Sequence, residues 1–511
     1  MKNKIIVTIT SILVMFVMVI SSCLDLTEKP EALLTPGNYY KTVAQCNAVY
    51  PACMSFLSST WGNHTGTPGW CAGQGSGSLG YGDGTSTGTW TMHWRVVNNV
   101  NPIIGAIKAG GVEGAKADVD DALGQAYFFR AWQYFWLVQF YGKLPWIDEE
   151  TPDLVANPLT PDSRQEVAFI YDKIEADLTE AFNLMKDYNT SNKARPCKWT
   201  AKALLAKVYL TRATAPLNQT ANFAKAAATA EEVIQSGKYQ LLPIVDIFKA
   251  TNPNNAEIIH AFQWTADYPS QPGYQGGPGD WDTWGDYSVR TLWADMYPEQ
   301  PRKHFYVRTI YPRTLRQNNA SQPSSTWNWV YYSEHPNDWQ RTPYEGKKLW
   351  PYLTVDQQWS SAGGNYIYPI LRFSEMYLIV AEADNKVNRA PTPRAVEYLN
   401  KIIDRANTPI ETAWPEMNTY TNKPGTEERA NMDWSEDYFD NAVFLERQWE
   451  LCFEFTAYFD LLRTKKLREW NAETNPSSAN NFKETDYLFP IPTYDSGFLG
   501  NNPGYVNADK K

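Results

Sequence analysis

The stretch RQEVAFIYDKIEADLTEAFNLMK, residues 164–186, indicates the fold class. Its apolar residues recur at steps of three and four, at Val167, Ile170, Ile174, Leu178, Ala181 and Met185. This spacing draws one continuous apolar stripe down an α-helix. Because such a stripe must be buried against another element, the stretch predicts a helix that packs on neighbouring helices.

Similar stripes follow this stretch along the chain. They predict helices from about Thr200, which we expect to cap the first of them, and over 223–236, 370–386 and 394–405. Helix starts near 164 and 198 are 34 residues apart, which is the period of tetratricopeptide repeats. The sequence therefore predicts a mainly all-α fold, in which tetratricopeptide-like helix pairs form a superhelical scaffold.

Two aromatic helices are predicted to lie inside this scaffold. Residues 122–140 carry large apolar side chains on nearly every side, so the helix must be buried, and Arg130 within it needs a partner. We expect this helix to end at Gly142, before Pro145. Its counterpart, 442–465, predicts an internal ion-pair network from Glu446, Arg447, Glu450, Glu454, Asp460 and Arg463.

The amino terminus, MKNKIIVTITSILVMFVMVISSC (1–23), is typical of a bacterial export signal. Residues 20–23 resemble a lipobox, which predicts a signal peptide over 1–22 and lipidation of Cys23. The apolar run of about 16 residues is shorter than the roughly 20 needed to span a bilayer. Removing Lys2 and Lys4 with the signal changes the formal net charge from −10 to −12, which disfavours nucleic acid and anionic lipid as partners.

The polar residues show no catalytic or metal-binding motif. HExxH, GxSxG and Walker patterns are absent, and the five histidines are scattered, so we expect neither a metal nor a cofactor. Cysteines other than Cys23 are odd in number and lack CxxC spacing, so disulfides do not organise the fold. Paired acids, Asp280 with Asp282 and Asp148 with Glu149, leave glycoside hydrolysis as an alternative.

Two irregular stretches rich in glycine and aromatic residues are the candidate binding regions. Residues 58–89 and 264–368 hold large rings that a polar loop has no evident need to pack, and the second contains nine of the 21 tryptophans. Aromatic faces flanked by polar side chains suit the C–H faces and hydroxyls of sugars. Alternatively, the rings attach a loop-built subdomain, with short strands over 304–312 and 326–332, to the helices. The candidate ligand-binding residues are Trp61, Asn63, Trp70, Tyr81, Asp83, Trp90, Trp281, Trp284, Trp327 and Trp329.

Several segments in order resemble the successive motifs of the SusD/RagB family. They are AYFFRAWQYFWLVQFYGKLPWI (126–147), YPILRFSEMYLIVAEADNKV (368–387), VEYLNKIIDRAN (396–407), LERQWELCFEFTAYFDLLR (445–463) and YLFPIP (487–492) with NNPGYV (501–506). The resemblance implies one SusD-like domain over 23–511, with a helical scaffold over 36–250 and 366–470 and a loop-rich aromatic insertion over 264–368. It also implies that Arg130, Arg372, Glu375, Glu382, Glu446 and Glu450 hold the fold and catalyse nothing.

The same resemblance implies a function. Members of the family are surface lipoproteins that bind nutrient glycans and deliver them to a SusC-like TonB-dependent outer-membrane transporter. We therefore expect a lipid-anchored, surface-exposed protein of the outer membrane that binds an oligosaccharide or polysaccharide and is not an enzyme. Peptide capture, as in RagB-like relatives, remains an alternative, as does the less favoured glycoside hydrolase.

Overall fold

A computed structural model describes much of the chain: residues 39–59, 83–187, 192–249, 251–264, 290–308, 310–313, 328–331, 344–345, 366–410, 434–454 and 456–503. The first part of this chain is helical apart from one small ladder. Its helices are α1 (Val43–Asn47), α2 (Val49–Ser59), α3 (Asp83–Lys108), α4 (Lys116–Tyr141), α5 (Val167–Leu184), α6 (Lys198–Ala213), α7 (Asn222–Gln235) and α8 (Ile244–Ile247). The ladder pairs β1 (Leu144–Pro145) with β2 (Arg164–Gln165).

The second part mixes short strands with helices. Its strands are β3 (Ile258–Trp264), β4 (Val307–Arg308), β5 (Ile310–Arg313), β6 (Asn328–Tyr331), β7 (Tyr344–Glu345) and β8 (Tyr366–Arg372). Its helices are α9 (Thr291–Met296), α10 (Pro301–Tyr306), α11 (Phe373–Asn388), α12 (Pro393–Ala406), α13 (Glu436–Glu450), α14 (Thr456–Arg463), α15 (Leu467–Thr474), α16 (Pro476–Asn480) and α17 (Thr493–Leu499). The predicted strands within 304–312 and 326–332 are confirmed at β4, β5 and β6, whereas residues up to Tyr306 are helical.

Successive helices pack on one another from α3 to α7, and α7 then packs on α11. The contact between α7 and α11 joins helices that are far apart in the sequence, because α7 ends at residue 235 and α11 begins at residue 373. Between them in the sequence, strands β3 and β8 pair antiparallel. Trp264 lies opposite Tyr366 in this pair, so the chain leaves the scaffold and returns to it at one place. The predicted helical-repeat fold is confirmed.

Helix α4 is the centre of the hydrophobic core. It is buried on nearly every side, as its composition predicts, and it ends at Gly142, whose φ of +70° favours glycine. The cluster of buried apolar side chains around it extends from Cys46 to Leu499. Cys46 and Cys53 lie in separate helices. Like Cys197 and Cys452, they are buried and form no disulfide among the described residues.

Several predicted helix boundaries are wrong for identifiable reasons. Residues 164–165 belong to β2, so α5 begins at Val167, and residues 366–372 pair with β3, so α11 begins at Phe373 rather than Ile370. The predicted helix over 442–465 is two helices, α13 and α14, because the chain turns between them, where Phe453 adopts a φ of +59°. The predicted cap at Thr200 is also wrong: α6 begins at Lys198 after the N-cap Cys197, and Thr200 lies inside the helix and accepts a hydrogen bond from the Cys197 amide.

The predicted internal ion pairs are confirmed. Arg130 binds Asp177 through Nε and Nη2, at 2.7 and 2.8 Å, and Glu149 through Nη1 at 2.6 Å. Arg372 on β8 reaches Glu257, Glu450 and Glu454, and all of these side chains are buried. A second buried group consists of Lys207, Glu375, Glu382, Arg447, Asp460 and Arg463. These contacts join distant parts of the chain, so they stabilise the fold as a whole.

Candidate functional site

A cavity of about 610 Å³ lies where both aromatic stretches leave the scaffold. Its walls come from α1, α2 and α4, from residues 192–195 and from the end of β3. Ser58 lines the cavity one residue before the end of α2, and the first aromatic stretch continues from there. Gln263 lines it one residue before the end of β3, where the second stretch begins. The cavity therefore lies at the base of both stretches.

The position of α2 explains why the first stretch begins at this cavity. Helix α2 packs on α3, with the Arg95 guanidinium 3.6 Å above the Phe56 ring centre. Tyr50 on the same helix stacks on Phe129 of α4, with the rings parallel to within 3°, and donates its hydroxyl proton to the Ala122 carbonyl. These contacts hold the end of α2 beside the cavity.

One wall of the cavity is apolar and the other is polar. The apolar wall consists of Tyr50, Pro51, Met54 and Phe262. On the polar side, Arg195 donates from Nη2 to Asp121 at 2.8 Å and from Nε to Gln125 at 3.1 Å. The Arg195 side chain is 41% exposed while Asp121 is 7% exposed, so a buried acid holds a guanidinium that stays accessible.

Amide side chains complete the polar wall. Gln263 donates to the side-chain oxygen of Asn254 at 2.7 Å, which fixes its orientation. The Oδ1 atom of Asn47 is buried without a hydrogen-bond partner in the described part of the chain. A concave surface with an apolar wall and fixed donors suits an uncharged ligand that carries hydroxyl groups.

Most of the predicted binding residues lie outside the described residues: Trp61, Asn63, Trp70, Tyr81, Trp281, Trp284, Trp327 and the lipidation residue Cys23. For two others, Asp83 at the start of α3 and Trp329 in β6, only the backbone is described. Their roles as ligand-binding residues stay predictions.

Trp90 occupies a position that does not suit the predicted stacking on a ligand. Its side chain is 3% exposed, and its ring contacts Trp94 and Tyr141 edge-on, with centroid distances of 5.5 and 4.8 Å. Its indole N–H donates to Asp495 Oδ2 at 2.6 Å, and burial raises the pKa of this carboxyl group. In this conformation Trp90 joins α3 to α17 and offers no free face.

The polar residues of the cavity were not predicted from the sequence. Arg195 and its partner Asp121 are 74 positions apart, and no motif marks either of them. It was also not predicted from the sequence that Tyr494 and Phe498 of α17 are exposed aromatic residues. Their spacing of four residues places both rings on one helix face. Tyr494 is hydrogen-bonded to Thr91 of α3 at 2.8 Å.

The acid pair Asp148 and Glu149 is engaged in structural contacts. Asp148 accepts hydrogen bonds from the Trp146 indole and from the Thr151 hydroxyl, at 2.8 and 3.0 Å. Glu149 binds Lys108 and Arg130, and these cations hold its pKa below the usual value against the opposing effect of burial. A general acid of glycoside hydrolysis needs a raised pKa, so the lowered pKa of Glu149 does not suit that role. Asp280 and Asp282 lie outside the described residues.

Across the described ranges, no group of three or more His, Cys, Asp or Glu side chains is arranged to hold a metal ion. In that same part of the chain, no helix combines the length and apolar character needed to cross a bilayer.

The described residues define a helical-repeat scaffold, and known proteins share this fold. A family model described as the SusD family matches residues 261–506, and a second, described as starch-binding and associating with the outer membrane, matches 37–210. SusD-like protein P2 of Formosa agariphila is 27% identical over 96% of this chain and 98% of its own length. The chain therefore belongs to the SusD-like family, as its motifs predict.

Solved structures confirm the fold. A SusD superfamily protein from Parabacteroides distasonis superposes with a TM-score of 0.70 at 20% identity, covering 90% of this chain and 99% of that one. Surface glycan-binding protein A from Bacteroides thetaiotaomicron superposes with a TM-score of 0.66 at 18% identity, covering 91% of this chain and all of that one.

Proposed function

We propose that this protein binds an oligosaccharide or polysaccharide at the cavity and the two aromatic stretches that begin there. The proposal rests mainly on one observation: a single cavity of about 610 Å³ lies where both aromatic stretches begin. The family description names starch binding, and a structural neighbour is named a surface glycan-binding protein. Stacking on the tryptophans and hydrogen bonds to Arg195 and the amide side chains would hold the sugar.

The bound glycan undergoes no reaction in this proposal. Binding without catalysis agrees with the structural engagement of Asp148 and Glu149. The surface is acidic overall, which favours neutral glycans over strongly anionic ones.

Affinity gel electrophoresis against a panel of polysaccharides tests the proposal. We expect one neutral glycan to retard the protein, and Trp70→Ala, Trp281→Ala and Arg195→Gln to remove or weaken the retardation. Tyr438→Ala is the control, because Tyr438 is 50% exposed on α13, which does not line the cavity. Thermal melting of each variant separates lost binding from lost folding. If no polysaccharide retards the protein, glycan binding is wrong and peptide capture becomes the leading alternative.

We further propose that lipid on Cys23 anchors the protein at the outer surface of the outer membrane, where it delivers glycan to a SusC-like TonB-dependent transporter. The export signal, the lipobox-like residues and the family description support this proposal. Purification of the tagged protein from detergent-solubilised outer membranes should bring a TonB-dependent barrel with it. Cys23→Ser should release the protein from the membrane fraction. Purification without any barrel would contradict the proposed delivery.

A further inference from the structure

A second cavity, of about 520 Å³, lies among the end of α4, the start of α5, the end of α6, helix α14 and residues 484–503. Its apolar walls include Val138, Val167, Phe459, Leu462 and Leu488. This volume is within the range of small-molecule sites, which combine apolar walls with a few polar groups. The described residues that line it are distinct from those of the cavity discussed above.

Tyr171 brings an unpartnered hydroxyl group to this second cavity. The residue is 2% exposed, and its ring packs edge-on against Phe135 at a centroid distance of 6.2 Å. Its hydroxyl makes no hydrogen bond with any residue that the structure describes, whereas the buried hydroxyls of Tyr50 and Tyr134 are both bonded to backbone carbonyls. The Tyr171 oxygen is not among the fully buried polar atoms, so the hydroxyl can reach a ligand in the cavity and donate to a ligand acceptor.

Arg164 brings a positive charge to the same cavity without an acid to balance it. Its Nε donates to the Lys143 carbonyl at 2.9 Å and its Nη2 to the side-chain oxygen of Asn502, and both acceptors are neutral. Arg164 makes no ion pair with a described residue, and burial lowers the pKa of its guanidinium. By contrast, Arg463 in the same wall binds Glu382 and Asp460. A partly buried guanidinium without an anion is complemented best by a carboxylate ligand.

Further charged side chains line the wall. Lys143 pairs with Glu166, and the Lys465 ammonium lies 3.8 Å from the Tyr487 ring centre. Glu484 is an acid in the lining, and it is exposed at the rim. Between its apolar walls the cavity therefore presents the Tyr171 hydroxyl and the Arg164 guanidinium, which no described acid neutralises.

We propose that this cavity binds a small ligand with one carboxylate on an apolar body, with Arg164 and Tyr171 as its donors. The carboxylate accepts from Arg164 and from the Tyr171 hydroxyl, and the apolar body contacts Phe459, Leu462 and Leu488. This proposal does not depend on glycan binding, since different residues line the two cavities.

Calorimetric titration of the full protein with 4-phenylbutyrate tests the proposal, with uncharged 4-phenylbutyramide as the matched ligand. We expect the acid to bind at least tenfold more tightly than the amide. Arg164→Gln should weaken binding of the acid at least tenfold, and Tyr171→Phe three- to tenfold. Tyr209→Phe is the control, because the Tyr209 hydroxyl donates to Glu175 and Tyr209 does not line the cavity. Circular dichroism should show that all variants are folded.

Three results would overturn the proposal: equal affinity for acid and amide, unchanged binding of the acid by Arg164→Gln, or no binding of the acid by the wild-type protein. Glucuronate serves as a further ligand, since it carries the same carboxylate on a hydroxylated ring. Tighter binding of glucuronate than of 4-phenylbutyrate would show that the proposed apolar body of the ligand is wrong and that a hydroxylated body is preferred.

Discussion

His260 shows how burial determines the behaviour of a single side chain. Its ring lies between Phe128 and Trp132, at centroid distances of 5.5 and 5.3 Å, and is fully buried. Nδ1 lies 2.8 Å from the Lys193 carbonyl, which can only accept, so the proton is on Nδ1 and Nε2 is left without a partner. Burial lowers the pKa of this imidazole to about 4.

We expect His260 to make the protein sensitive to acid. Its pKa is lower in the folded protein than in the unfolded chain, so the unfolded chain takes up the proton first and stability falls as the pH drops from about 6.5 towards 4. Between pH 7 and pH 5 this residue should account for a loss of about 2 kcal/mol.

Urea unfolding of wild-type protein and His260→Asn at both pH values measures this contribution. The asparagine amide keeps a donor for the Lys193 carbonyl but has no proton to gain. The carboxylates titrate alike in both proteins, so they cancel in the difference. If both proteins lose the same free energy of unfolding on acidification, the assignment is wrong.

Helices α4 and α5 approach each other closely at one glycine. A Cβ atom added at Gly124 of α4 would lie 2.7 Å from Cγ and 2.9 Å from the backbone N of Met185, which follows α5. At Gly105 of α3 the nearest atom to such a Cβ would be Glu149 Cβ, at 3.4 Å. Both glycines lie within helices, so they differ mainly in the space around them.

We therefore expect opposite effects from the same substitution. Gly124→Ala should lower the free energy of unfolding by about 1 to 3 kcal/mol, because the backbone at Met185 must move. Gly105→Ala should raise it by about 0.5 to 1 kcal/mol, because alanine favours the helix. Urea unfolding of both variants measures the contrast, and a stabilised Gly124→Ala would show that the end of α5 shifts freely.

The insertion and the scaffold are joined through buried side chains. Trp293 of α9 is fully buried against Trp449 and Phe453, which supports the interpretation that some rings of the second stretch have a packing role. Arg302 of α10 is fully buried and binds Glu446 at 2.5 Å and Glu450 at 2.6 Å. Residues 290–308 thus belong to the same core as the helices.

Arg302→Met should destabilise the whole protein. Glu446 and Glu450 would remain buried with fewer counter-charges, which costs about 3 to 5 kcal/mol. Urea unfolding of this variant, of Glu446→Gln and of the double variant forms a thermodynamic cycle. We expect the double variant to lose less free energy of unfolding than the sum of the two single variants. The double variant removes the Glu446 charge, which Arg302→Met alone leaves buried without its counter-charge. Additive losses would mean that the insertion is not held through this pair.

The sequence by itself determined the class of fold, the family and the buried nature of α4, because apolar periodicity and aromatic content are local properties of the chain. It also showed that Arg130 needs a partner, but not that Asp177 and Glu149 supply it. Helix starts were wrong at 164 and 370 because short strands there pair with residues 144–145 and 258–264, outside the local pattern.

Only the tertiary structure decided which side chains share a cavity and which rings are buried. Trp90 has the sequence context of a binding residue, yet Trp94, Tyr141 and Asp495 enclose it. Asn47, Arg195 and Gln263 meet at one cavity although more than 200 positions separate the first from the last. Which residues come together at a cavity depends on how the helices pack. Packing depends on contacts between residues far apart in the sequence, which local sequence patterns do not predict.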